Sequence, residues 1–157
     1  MAVTPVPRIL IVDDDRTTLR MLSLPLKAAG YTIATASDGA TALARLARTR
    51  FDLVLLAVWM PGMDGLEVLA RLRGAPSRPR VVVMTADDAP ETLLRAVREH
   101  AFRYVTKPVE PAELCAVVAS VLASPPDLRP IEVVSAKPDW VELLVPCDRD
   151  AAARIQE

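Results

Sequence analysis

Four residues of this sequence that could do chemistry stand where short apolar runs end. Asp13 and Asp14 follow the first of these runs, Thr85 ends a later one, and Lys107 follows the last. Adjacent carboxylates suit Mg²⁺, which proteins bind through one or two carboxylates plus water. A lysine gives a compact positive charge, and a hydroxyl can hydrogen-bond a phosphate oxygen. Together these residue types could hold a metal ion and a phosphoryl group.

A central apolar run, 52–57, ends in an alanine. The loop 60–65, with the sequence MPGMDG, begins three residues after Ala57. A carboxylate at the end of such a run could act as a nucleophile and hold a phosphoryl group as a labile acyl phosphate. The methyl group of Ala57 can do neither.

The segment 51–65 resembles the phosphoacceptor strand and loop of a bacterial two-component response-regulator receiver domain. The resemblance covers about residues 8–123, because the acidic pair, the hydroxyl and the lysine with its following proline occur in the family's order. In that family, the residue at the position of Ala57 is the aspartate that takes a phosphoryl group from a sensor histidine kinase or a phosphotransfer protein. The resemblance therefore implies a signalling module, not an enzyme, that is phosphorylation-dead in this chain.

The resemblance also implies a magnesium site. Asp14 would bind the ion directly, Asp13 would act mainly through bound water, and the backbone carbonyl of Trp59 would add a third contact. Ala57 removes one metal ligand together with the nucleophile, so we expect Mg²⁺ binding to be weak or absent. The carboxylates of Asp13 and Asp14 still repel one another, and we expect Lys107 to bridge to them.

By the same resemblance, other residues would respond to phosphorylation and form a conformational switch. Lys107 would contact the phosphate, the Thr85 hydroxyl would move toward a phosphate oxygen, and Tyr104 would turn inward. The face of the fourth helix, fifth strand and fifth helix would then be read by a downstream effector domain or partner, with a homodimer as a further candidate assembly. The family also implies a cis peptide before Pro108. The large Trp59 could either shield the pocket or lie across the surface.

Two other interpretations stay open. If Ala57 is the natural residue, the chain is a pseudo-receiver that acts by constitutive protein-protein interaction, although the otherwise intact pocket favours a substitution in a functional switch. The stretch LIVDDDRT, 10–17, also fits the Asp-x-Asp-x-Thr opening of haloacid-dehalogenase-like phosphatases. In that case Asp13 would be the nucleophile and Asp15 the acid/base. Nothing between Lys107 and residue 124 supplies the late acidic pair that those enzymes need.

Apolar runs alternate with amphipathic segments along the first 123 residues. Asp14 or Asp15 can cap the first helix, Gly30 follows its end, and Pro25 is expected to bend its final turn. This alternation predicts an α/β protein with a flavodoxin-like (βα)5 fold, a doubly wound five-stranded parallel sheet. The strand order 2-1-3-4-5 is adopted from the resemblance. Strands are predicted at 8–12, 31–35, 52–57, 80–84 and 102–106, and helices at about 15–29, 38–48, 66–72, 90–100 and 111–122.

The composition changes after residue 123. We expect a receiver domain at 1–123, a proline-rich linker at 124–130 and a C-terminal extension at 131–157. The extension shows strand character at 140–145 and an amphipathic helix at 148–157. We interpret it as the start of a second domain; a tail that packs on the receiver or on a second copy is the alternative.

The net charge, the lengths of the apolar runs and the cysteine spacing argue against several classes of function. A net charge of -1 argues against direct nucleic-acid binding, which usually needs a basic face. No apolar run is long enough for a membrane helix, and residues 1–7 do not form a signal peptide. Cys115 and Cys147 lack metal-ligand spacing, and the only histidine, His100, is not expected to be phosphorylated. A cytoplasmic protein with reduced thiols and no membrane partner is expected.

Overall fold

The computed structural model of this chain describes residues 4–73, 75, 78–86, 89–99, 101–124, 132–137 and 140–144. The chain divides into two compact units, Met1–Ala123 and Ser124–Glu157. Within the part described, no helix is long and apolar enough to cross a membrane.

The first unit is a five-stranded parallel sheet with five helices, so the predicted fold class is confirmed. Each element lies within two residues of its predicted bounds. The strands are β1 (Arg8–Val12), β2 (Thr32–Ala36), β3 (Leu53–Ala57), β4 (Arg80–Thr85) and β5 (Arg103–Thr106). The helices are α1 (Arg16–Ala28), α2 (Gly39–Arg48), α3 (Gly65–Leu72), α4 (Pro90–Arg98) and α5 (Pro111–Ala123).

The order of the strands is β2-β1-β3-β4-β5, which confirms the predicted order. Every neighbouring pair is parallel, and β3 lies at the centre between β1 and β4. Because all five strands run in one direction, their carboxyl ends meet at one edge of the sheet. The residues that follow the strands are therefore brought together there.

Both faces of the sheet are covered, which explains why the three central strands, β1, β3 and β4, are almost wholly apolar. Along β1, Leu10 and Val12 belong to one buried cluster, and Ile9 and Ile11 belong to the other. The first cluster includes residues of α2, α3 and α4, and the second includes residues of α1 and α5. Successive side chains of a strand point to opposite faces, so each strand serves both cores.

Aspartates begin three of the helices. The side chains of Asp15, Asp38 and Asp64 accept hydrogen bonds from backbone N–H groups in the first turns of α1, α2 and α3. These bonds satisfy donors that a helix start leaves without partners. Pro25 lies inside α1, and Gly30, with φ of 98°, follows the end of that helix.

The second unit contains a two-stranded antiparallel sheet, β6 (Glu132–Lys137) and β7 (Trp140–Leu144). The strand β7 confirms the predicted strand character at 140–145, whose last residue lies outside the described part. The strand β6 was not predicted, because only two adjacent β-branched residues, Val133 and Val134, mark it as a strand. The linker residues 125–130, the predicted helix 148–157, His100 and Cys147 also lie outside the described residues.

Candidate functional site

The predicted site residues lie where four strands end. Asp13 directly follows β1, Ala57 and Thr85 are the last residues of β3 and β4, and Lys107 directly follows β5. The backbone N–H of Val58 donates to the carbonyl of Met84 at 2.9 Å. That of Lys107 donates to the carbonyl of Thr85 at 2.7 Å. These hydrogen bonds join the end of β4 to the ends of β3 and β5.

Asp13 is a buried carboxylate with partners on both oxygens. Its side chain is 1% exposed. Oδ1 accepts a hydrogen bond from the backbone N–H of Asp15 at 3.0 Å, and Oδ2 accepts one from Lys107 Nζ at 2.5 Å. The expected bridge from Lys107 to the acidic pair is therefore observed at Asp13. Asp14, by contrast, is exposed.

Ala57 places a buried methyl group at the end of the central strand. The residue is 1% exposed and belongs to the core cluster on the α2, α3 and α4 side of the sheet. A methyl group neither attacks phosphorus nor binds a cation. Position 57 therefore contributes only packing to the site.

The start of α3 fixes the backbone of residue 57. A Cβ atom on Gly65 would lie 2.0 Å from the carbonyl oxygen of Ala57, a distance that no side chain can tolerate. The Gly65 N–H also donates to the Val58 carbonyl at 2.8 Å. In the sequence, Gly65 is marked only as the last residue of the loop motif MPGMDG. The close approach of a backbone is another reason for a glycine at such a position.

The loop between β3 and α3 carries Trp59, whose residue surface is 60% exposed. Of the two predicted arrangements, this exposure fits a ring that lies at the surface better than one that closes the pocket. Gly62 supplies the turn with φ of 80°, a conformation that favours glycine. Gly62 therefore allows the loop to turn sharply between β3 and α3.

Thr85 and Tyr104 share one face of the sheet. Thr85 is opposite Thr106, and Val83 is opposite Tyr104. Since residues two apart on a strand point to the same face, the two side chains lie on the face that α4 covers. Thr85 is 1% exposed, whereas Tyr104 is half-buried against the core cluster on that face. The peptide bond between Lys107 and Pro108 is cis, as the resemblance implies.

Asp15 serves as the N-cap of α1. Its Oδ1 accepts from the Thr17 N–H at 3.1 Å, and its Oδ2 accepts from the Thr18 hydroxyl at 2.7 Å. The hydrogen bond from the Thr18 side chain is the largest of the effects that lower the pKa of Asp15. Asp38 caps α2 in the same manner, and its pKa is lowered chiefly by the backbone N–H of Thr41.

The donor set fits a magnesium ion poorly. Within the described ranges, no three His, Cys, Asp or Glu side chains come together as metal ligands. Both oxygens of Asp13 already have partners, and the second of these is the cation of Lys107. Only the exposed Asp14 remains as a carboxylate ligand, whereas Mg²⁺ needs six well-placed oxygens.

The fold and the arrangement at its carboxyl edge define a class of signalling module. Residues 9–119 match the family described as the response regulator receiver domain. This chain belongs to that family. Response regulators are components of two-component systems, in which they interact with histidine kinases and effector domains.

Individual relatives agree with this assignment. The regulatory protein AtoC of Escherichia coli is 40% identical over 119 residues, which are 76% of this chain and 26% of AtoC. The response regulator PleD of Caulobacter vibrioides is 40% identical over 116 residues, which are 73% of this chain and 26% of PleD. This chain thus spans about a quarter of the length of these relatives. The chemotaxis protein CheY4 of Vibrio cholerae superposes with a TM-score of 0.72 at 30% identity, covering 74% of this chain and 99% of CheY4.

Proposed function

We propose that this chain is a receiver module of a two-component phosphorelay that cannot accept a phosphoryl group. The observation that carries the proposal is the buried methyl group of Ala57 at the position where the family resemblance requires an aspartate. Without a carboxylate there, no acyl phosphate can form. The module is therefore always unphosphorylated when it binds its partners. Signalling then depends on contact with proteins and not on catalysis.

The ion pair between Lys107 and Asp13 supports a fixed state. In the resemblance, Lys107 contacts the phosphate and Asp13 acts on the metal. Here the two side chains neutralise each other at 2.5 Å. The cation that would attract a phosphoryl group is therefore already engaged, and Thr85 has no phosphate oxygen to approach.

The face of α4, β5 and α5 is the proposed contact surface for an effector domain, a partner or a second copy. Tyr104 on β5 lies on the same sheet face as Thr85, which gives a physical connection between the pocket and that surface. On α4, the apolar Leu94 is 51% exposed. Nucleic acid and membrane are not proposed as direct partners of this chain.

The phosphatase interpretation is disfavoured by two observations. Asp15, the candidate acid/base, caps α1 through both of its oxygens. Asp13, the candidate nucleophile, has partners on both of its oxygens. Neither carboxylate is free to act on a substrate, so we do not propose an enzyme.

Acetyl phosphate tests the proposal. The chain is incubated with acetyl phosphate and Mg²⁺, and the intact mass is measured with Ala57→Asp and Ala57→Asn in parallel. We expect no phosphoryl adduct on the chain or on Ala57→Asn, which offers no nucleophile, and one adduct on Ala57→Asp. An adduct on the chain itself would refute the proposal. A folded Ala57→Asp without an adduct would show that another residue blocks the pocket.

A natural pseudo-receiver with constitutive contacts is the second candidate. The presence of Asp13, Asp14, Thr85 and Lys107 favours a switch that lost only its nucleophile. The affinity for a partner separates the two candidates. A substituted switch changes its partner affinity when Ala57→Asp is phosphorylated, whereas a pseudo-receiver binds equally before and after treatment.

A further inference from the structure

A cavity of about 550 Å³ lies at the carboxyl end of the edge strand β2, between α1 and α2. Its walls come from one side of α1, from residues 35–37 and from the first turns of α2. The candidate site lies outside it, because the cavity is not lined by Asp13, Asp14, Ala57, Thr85 or Lys107. Its volume is typical of small-molecule sites, which span about 300–1,000 Å³.

The cavity is lined by cations and by no carboxylate. Arg16, Arg20 and Lys27 come from α1, and Arg45 comes from α2. Intervals of four and seven residues place the three α1 cations along one stripe of the helix. In the part of the chain that the structure describes, none of the four forms an ion pair. Such a concentration stands out in a chain whose net charge is -1.

The carboxylates that precede α1 and α2, the helices that carry these cations, are bound to the helix starts. Asp15 accepts hydrogen bonds from the first turn of α1, and Asp38 accepts them from Thr41 at the start of α2. Each carboxylate is thus turned to a helix start instead of to a neighbouring arginine. The positive charge of the cavity is therefore left for an external anion.

An apolar surface lies between the cations. Leu19 and Ala36 are buried residues that line the cavity, and Leu24 lines it with 66% of its surface exposed. The hydroxyls of Ser23 and Thr41 already donate to the Leu19 carbonyl and the Asp38 carboxylate. Ligand recognition at this site would therefore depend on the charged side chains and on this apolar contact.

We propose that this cavity binds a small organic phosphate of nucleotide size. Arginine guanidinium groups present paired donors that match phosphate oxygens, and three of the four cations are arginines. A nucleotide combines a charged phosphate part with a flat part that can cover Leu19 and Leu24. An extended acidic peptide would satisfy the cations but would leave the concave apolar surface uncovered.

Calorimetric titration of the full chain with ATP, GTP, inorganic pyrophosphate and poly-glutamate, without metal ions and at fixed ionic strength, tests this proposal. The variant Arg20→Gln with Arg45→Gln removes one cation from each helix wall. Arg48→Gln with Arg98→Gln is the matched control, because both of these arginines are exposed and outside the cavity. Lys107→Ala reports any binding at the pocket around Ala57.

We expect ATP or GTP to bind more tightly than pyrophosphate, at least tenfold weaker binding in the cavity variant, and a change below twofold in the control and in Lys107→Ala. Shifts of the Leu24 and Ala36 methyl resonances should accompany binding. Three outcomes would overturn the proposal: no binding of any probe, equal losses in both double variants, or loss only in Lys107→Ala. Binding of poly-glutamate without any nucleotide binding would assign the surface to an acidic polypeptide instead.

Discussion

Lys107 Nζ lies 2.5 Å from Asp13 Oδ2, although β5 and β1, which precede these residues, are separated in the sheet by β3 and β4. The ion pair therefore reaches across the ends of the two central strands. Ala57 ends one of these strands and is 1% exposed. In this chain a bridge between two side chains occupies the edge where a phosphoryl group would be held.

Removal of the lysine should destabilise the fold. In Lys107→Ala, Oδ2 of Asp13 stays buried without its charged partner, which costs about 1–3 kcal/mol. Urea unfolding at neutral pH measures the loss. Lys27→Ala removes an exposed lysine and should change the unfolding free energy by less than about 0.5 kcal/mol. Equal losses in the two variants would show that the bridge adds nothing to stability.

Magnesium binding should depend on residue 57. A carboxylate there would restore the missing oxygen ligand, so Ala57→Asp should bind Mg²⁺ at least tenfold more tightly than the chain itself. The fluorescence of the exposed Trp59 reports the titration, with Trp140→Phe as the background that removes the other tryptophan. Added NaCl at matched ionic strength is the control. Equal affinities would contradict our assignment of this position to the metal site.

Gly65→Ala should destabilise the protein, although alanine favours helices by about 1 kcal/mol over glycine. The new Cβ would meet the Ala57 carbonyl, and overpacking of this kind costs about 1–3 kcal/mol. Gly39→Ala is the comparison variant, since Gly39 also begins a helix but its Cβ would lie 2.8 Å from a side-chain methyl of Val68 and not against the backbone. Chemical denaturation should show the larger loss for Gly65→Ala. A stabilised Gly65→Ala would be incompatible with the contact.

Acid should weaken the start of α2. Hydrogen bonds from Thr41 lower the pKa of Asp38 below its ordinary value of 3.8, so the unfolded chain binds the proton more readily. The stabilisation is therefore complete above that value and is lost as the pH falls through the lower pKa of the folded chain. Asp38→Asn keeps a capping oxygen but does not titrate. Its unfolding free energy should fall less steeply below pH 4 than that of the parent; identical slopes would contradict this assignment.

The strands and helices of the first unit were predictable because local signals agree with the fold. Apolar runs of about five residues alternate with amphipathic segments that begin at aspartates such as Asp38 and Asp64. The strand order came only from the family resemblance, since periodicity does not specify which strands pair. The strand β6 was missed because its pairing with β7 determines it more than its own residues do.

The candidate site was only partly predictable. The sequence placed Asp13, Ala57, Thr85 and Lys107 at strand ends, and repulsion between carboxylates suggested the lysine bridge. It did not show that Lys107 would form its ion pair with the buried Asp13 and not with the exposed Asp14. Nor did it show the basic cavity, because Arg20 and Arg45 belong to helices on opposite faces of the sheet. Their proximity arises at the edge strand, from tertiary structure alone.

The contact between Gly65 and the residue 57 carbonyl uses main-chain atoms alone, and these are the same whichever amino acid occupies position 57. The contact that holds the backbone at position 57 is thus independent of the side chain at that position. A single substitution at position 57 can therefore change the side chain at this site while the main-chain contact with Gly65 stays the same.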